Sequence, residues 1–106
     1  MELDPPAAAR AFGDAYVNLL RRGADGSLAL SADRWRLAAL TEDAFEFSAL
    51  DPAAAPMRLP LADIESIRWQ QLPRQRVRSQ IRFTLVSGDV WTFSGSFSLA
   101  DESSGF

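Results

Sequence analysis

The stretch Leu59-Pro60-Leu61-Ala62-Asp63-Ile64-Glu65-Ser66-Ile67 constrains the fold of this chain more than any other. An apolar strand runs into a proline, makes one tight turn and re-emerges as a second strand that carries Trp69. Proline has no N–H to give to a sheet ladder, so it marks an edge or a corner. Asp63 is placed to cap the turn before Ile64, because Asp side chains bond to nearby backbone. A corner of this kind belongs to a small bent β-structure. It specifies a fold class and no reaction.

The segments around the corner alternate with period two, the signature of half-buried strands. Leu28 and Leu30 share a face, as do Trp35, Leu37 and Ala39, and then Phe45 and Phe47. Turn residues at 41–43 pair Ala39 with Phe45 and Leu37 with Phe47, which keeps both apolar sets on one face. Met57, Leu59 and Leu61 alternate before the corner, and Asp51 to Pro56 is a loop. Ile67 and Trp69 open a longer strand, Pro73 to Arg78 forms a basic hairpin loop, and Ile81, Phe83 and Leu85 alternate on the return. A three-residue loop at Ser87-Gly88-Asp89 then sets Leu85 opposite Trp91 and Phe83 opposite Phe93. About seven strands separated by turns every 8 to 12 residues point to a barrel or sandwich.

Before the strands, Asp4-Pro5-Pro6 reads as a helix start, a capping Asp followed by prolines tolerated in the first turn. Phe12, Ala15, Tyr16, Leu19 and Leu20 then fall on one helical face. Arg21 and Arg22 suit the negative end of the dipole and Gly23 stops the helix, giving a helix over 5–22. Its polar face carries Asp14 and Asn18, which suits packing on its own core better than lying on lipid. At the other end, Ser98 to Glu102 resembles an abortive helix start.

Composition removes several function classes. A chain of 106 residues is one domain with room for one modest core. With 47% apolar and 24% charged residues it is globular in character. A net charge of -3 argues against a general nucleic-acid or membrane binder. There is no Cys and no His, hence no disulfide, no thiolate nucleophile and no imidazole base or ligand. The N-terminal residues are acidic and lack the basic start of a secretory signal, so a cytoplasmic protein is expected. Gly-rich phosphate loops, metal-spaced clusters and nucleophile elbows are absent, so no cofactor and no enzymatic activity are expected. Asp33, Asp43, Asp63 and Asp89 read as turn residues rather than a catalytic pair. Trp35, Trp69 and Trp91 fall on inward rows and read as core.

From Trp35 to Phe97 the chain resembles the GRAM and pleckstrin-homology-like superfamily. The Leu40–Phe47 turn, the Leu59–Ile67 corner and the Ile81–Phe93 hairpin carry the likeness, the corner most specifically. The resemblance implies a mainly β (α+β), bent seven-stranded β-barrel or sandwich over 26–97, one end of which is plugged by a C-terminal helix. Here that helix is short or missing: either the chain is truncated before it, or the N-terminal helix covers the end, or a second copy does. Members of the superfamily bind anionic lipid near an early loop through a Lys/Arg pair. No such pair matches here, and that site is not carried over.

All 11 basic residues are Arg, whose planar fork binds anions bidentately. Arg68, Arg74, Arg76, Arg78 and Arg82 flank or occupy one hairpin. Because Ile67, Trp69, Ile81 and Phe83 point inward, Arg68 and Arg82 point outward, and a loop centred near residue 75 sets them opposite each other. Like charges there repel unless an anion lies between them. The expected function is a non-catalytic interaction module that offers this hairpin to an acidic protein or an anionic membrane surface. The alternative is a structural protein that self-associates, as a homodimer or larger, through the uncovered barrel end. An arginine surface that only keeps strand edges apart is the plainest reading of the same residues.

Overall fold

The corner lies where the chain passes from one sheet to the other. In the computed structural model, which describes residues 1–72, 74 and 78–97, strand β5 (Met57–Pro60) ends in a single 3-10 turn (Leu61–Asp63), and β6 (Ile64–Gln71) starts at once. β5 is the edge of a three-stranded antiparallel sheet, formed with β3 (Trp35–Leu40) and β4 (Ala44–Ala49) in the order β3-β4-β5. Pro60 is tolerated because it sits at that edge, paired with Ala44. β6 belongs to a five-stranded antiparallel sheet with β1 (Asn18–Arg22), β2 (Leu28–Leu30), β7 (Ser79–Leu85) and β8 (Val90–Gly95), in the order β2-β1-β8-β7-β6. The turn is bonded on both sides: Leu61 N–H donates to Asp43 O at 2.7 Å, and Val86 N–H to Asp63 O at 2.9 Å. The Asp63 cap expected from the sequence does not form among the described residues. Its backbone carbonyl, not its carboxylate, holds the corner.

The inner faces of the two sheets meet in one aromatic core. Phe45 and Phe47 of the small sheet and Phe83 and Phe93 of the large one are fully buried. Helix α1 (Pro5–Phe12) adds Phe12 between them. The Phe12 ring lies 5.6 Å from Phe47 and 5.1 Å from Phe93, both edge-on, a geometry favoured by the ring quadrupoles. α1 is capped as its sequence implies, with Asp4 Oδ1 accepting from Ala7 N–H at 2.8 Å and prolines in the first turn. Ala8, Ala11 and Phe12 form its buried face. The helix thus covers the core with its Ala8, Ala11 and Phe12 face, one of the arrangements the sequence left open.

Several expectations are corrected. The helix ends at Phe12, not at 22, because Gly13 turns the chain at a φ of 54°. Residues 18–22 form β1 instead, and this is the eighth strand. Val17 and Leu19 are buried, whereas Tyr16 is 39% exposed. Gly23 therefore opens the β1–β2 turn, where its N–H donates to Ser27 O. Leu28 and Leu30 do share a face, but that face is open to solvent. In the β3–β4 hairpin Leu37 pairs with Phe47 as expected, but a bulge then pairs Ala39 with Glu46 and Leu40 with Phe45. In β7–β8, Phe83 faces Trp91 and Ile81 faces Phe93. The loop is three residues long but comprises Val86-Ser87-Gly88, which puts Gly88 in the left-handed position at φ 94°. This register differs from the expected one by two residues, so the same side chains stay inside and the apolar pattern could not distinguish them. Three aspartates brace turns. Asp25 and Asp51 accept from backbone two residues on, while Asp89 reaches the Ala24 N–H at 3.0 Å and ties two turns together. The Ser98–Glu102 segment lies outside the described residues.

Trp35 is buried, with its indole N–H donated to Ser31 Oγ, and Trp69 and Trp91 pack half-buried against the core. Two substitutions separate the strand from the expected helix. Leu19→Ala should lower the unfolding free energy by about 2–5 kcal/mol in urea denaturation and Leu20→Ala by clearly less, since only Leu19 faces the core. Phe12→Ala should cost about 3–5 kcal/mol, a large share of the stability of a domain this size.

Candidate interaction surface

Register on the five-stranded sheet decides which arginines meet. Arg68 and Arg82 are direct partners on β6 and β7, both exposed, as the alternation requires. The row they occupy runs across the whole sheet: Glu2, Arg68, Arg82, Thr92, Leu20 and Leu30. Glu2 joins it because Met1 to Leu3 run along the outer edge of β6. Leu3 N–H donates to Ile67 O, Trp69 N–H to Met1 O, and the Met1 amino group to Trp69 O. The bridge sets Glu2 beside Arg68. No ion pair forms at Arg68 or Arg82 among the described residues.

The two flanking rows complete the outer face. One holds Gln70, Gln80, Ser94 and Asn18, with Gln70 Nε2 donating to Gln80 Oε1 at 3.3 Å. The other holds Ser66, Thr84, Val90, Arg22 and Leu28. Across the three rows stand three arginines (Arg22, Arg68 and Arg82) and one carboxylate (Glu2), although the whole chain carries -3. Arg22 and Arg82 both line a shallow depression of about 320 Å³ whose apolar part is Leu20, Leu28 and Val90. The face therefore combines an excess of positive charge with a small apolar patch.

The other arginines singled out in the sequence separate. Arg74 is exposed on the hairpin loop with φ 64°. Arg78 turns to a different depression, shared with Arg34, at the end of the sheet. Arg76 lies outside the described residues. Sequence reasoning missed Arg22, hidden by its assignment to a helix end, and Arg34, which comes from a distant loop. Arg21 is occupied: its guanidinium stacks 5.0 Å from the Trp91 ring. The Ser27 side chain, and then its N–H, hold the Asp25 carboxyl below the ordinary carboxylate range, a turn interaction and not a poised acid. Among the described residues no group of His, Cys, Asp and Glu could hold a metal ion, and no helix is long and apolar enough to cross a membrane.

No protein-family profile, curated protein or solved structure matches this chain.

Opposed arginines without an anion between them should be a measurable liability. Arg82→Gln should raise the denaturation midpoint at low salt, and the gain should shrink as salt screens the pair. Arg22→Gln, whose cross-strand partners are Val90 and Leu28, should give no such gain. Urea titrations at two ionic strengths check both.

Proposed function

We propose that this protein is a non-catalytic interaction module of GRAM or pleckstrin-like architecture that binds an acidic partner on the outer face of its five-stranded sheet. The observation that carries this reading is the Arg68–Arg82 pair, held side by side by strand register with neither guanidinium in an ion pair among the described residues. Holding two like charges opposite each other works against folding, and a bound carboxylate would offset that cost. The apolar floor of Leu20, Leu28 and Val90 next to Arg22 and Arg82 favours a protein segment over a membrane, because it accepts single apolar side chains between charges.

A polyglutamate peptide interspersed with leucine is the direct probe. It should bind at low ionic strength and weaken by about tenfold or more when salt rises to physiological levels. Arg68→Glu with Arg82→Glu should abolish binding without loss of fold. Binding to phosphatidylserine vesicles in its place would transfer the surface to lipid. Binding of neither probe would overturn this reading.

A second reading, self-association, has its own observation, at a sheet edge rather than at the barrel end. Strand β2 is an outer edge, its three residues are all exposed, and Leu28 and Leu30 are 66% and 73% accessible. Ser27-Leu28-Ala29-Leu30-Ser31 reads the same in both directions, so antiparallel pairing of two copies about Ala29 sets Leu against Leu and Ser against Ser. Light scattering at high salt should show a dimer on this reading, and Leu30→Lys should return it to monomer.

A further inference from the structure

At the end of the same sheet lies a second depression, of about 260 Å³, lined by Tyr16, Asn18, Arg34, Arg78, Ser94 and Ser96, with Gly95 between the serines. We infer that it is a binding site for a phosphate monoester, distinct from the Arg68–Arg82 surface. Arg78 and Arg82 are four residues apart on one strand line, about 13 Å, so one phosphate group cannot bridge them.

Four short segments meet to build the site. The Val17–Trp35 bridge, with both backbone bonds at 2.8 Å, fixes Arg34 beside Tyr16 and Asn18. The Ser79–Gly95 pair fixes Arg78 beside Ser96. Gly95 makes the approach close: a Cβ there would lie 2.8 Å from Val17 Cγ1, so any larger residue would push β8 away from the chain entering β1. Arg36 adds a further cation behind the site, its guanidinium 5.9 Å from the Tyr16 ring centre.

Every polar side chain that lines the depression can donate a hydrogen bond, and none is a carboxylate. The Arg34 and Arg78 guanidiniums have no partner among the described residues. Two forks arriving from the segments that lead into β3 and β7, with hydroxyl and amide donors between them, match a tetrahedral group with three free oxygens and close to two negative charges. A planar carboxylate has two oxygens and would leave one fork or the hydroxyls unused.

The test is a titration of the full chain with inorganic phosphate and with O-phosphoserine, followed by 1H–15N NMR. Saturable shifts at Asn18, Ser94 and Ser96, with acetate giving none, are the expected result. Arg34→Gln and Arg78→Gln should each weaken binding about tenfold, and Arg68→Gln should not. Arg34→Lys keeps the charge, loses the fork and should also weaken it, which guards against a variant that fails to fold. Ser96→Glu, which places a carboxylate in the depression, should abolish binding. Three further probes name the source of the phosphate: a phosphoserine peptide beside its unphosphorylated form, vesicles containing phosphatidylinositol phosphate, and inorganic phosphate alone. Preference for the phosphopeptide or for the phosphoinositide vesicles supports the site and identifies its ligand, whereas tighter binding of inorganic phosphate than of either ester would overturn the monoester. Absence of saturation with every phosphate probe, or equal weakening by Arg68→Gln, would overturn the proposal.

Discussion

The contact on which this structure depends is the insertion of Phe12 between two sheets that share no hydrogen-bond ladder. Phe12 touches Phe47 on the small sheet and Phe83 and Phe93 on the large one. Phe97, just beyond β8, closes on the same ring edge-on at 5.2 Å. The sheets are otherwise joined by two covalent passages, β2 to β3 and β5 to β6, by the Val17–Trp35 backbone bridge and by side-chain packing. An eight-residue helix would not be stable alone. Its capping Asp4 and two prolines fix where it starts, and burial of Ala8, Ala11 and Phe12 gives it a reason to stay. The arginine surface follows from this packing, because the large sheet can present a broad outer face only while its inner face is covered.

What the sequence revealed and what it concealed follow from how each signal is written. The corner was legible because Pro60 excludes a central strand and the apolar alternation resumes at once at Ile64 and Ile67. The helix cap was legible because Asp4 and its prolines are local. Residues 15–20 were not, since Ala15, Tyr16, Leu19 and Leu20 satisfy a helical spacing while Val17 and Leu19 satisfy a strand spacing. The choice was made by pairing with Phe93, 74 positions away, which local periodicity does not contain. The β7–β8 register was hidden for another reason: a slip of two residues preserves every inward face, so only the left-handed requirement at Gly88 fixes it.

The arginines divide along the same line. Arg68 and Arg82 could be placed opposite each other from one hairpin, since alternation and loop length are local properties. Arg78 was recognised as basic but assigned to the wrong company. Its neighbour Arg34 lies 44 positions earlier and reaches it only through the Val17–Trp35 bridge and the close β1–β8 approach at Gly95. Clusters composed by tertiary contact have no linear signature.

The charge balance of the chain therefore conceals its distribution. A net -3 suggests mild repulsion from acidic partners, yet the outer sheet face gathers Arg22, Arg68 and Arg82 against Glu2 alone. At moderate salt, charges farther apart than about 8–10 Å are largely screened, so a partner responds to the face it meets more than to the total. Edge protection by itself explains charges beside unpaired backbone. Arg82 is not in that position, for β7 is flanked by β6 and β8, and the far edge of β6 is already lined by Met1 to Leu3. The unprotected edge of this sheet is β2, which carries Leu28, Ala29 and Leu30 and no charge. The arginines thus stand where edge defence does not need them, which is the strongest structural reason to regard their face as a place for recognition.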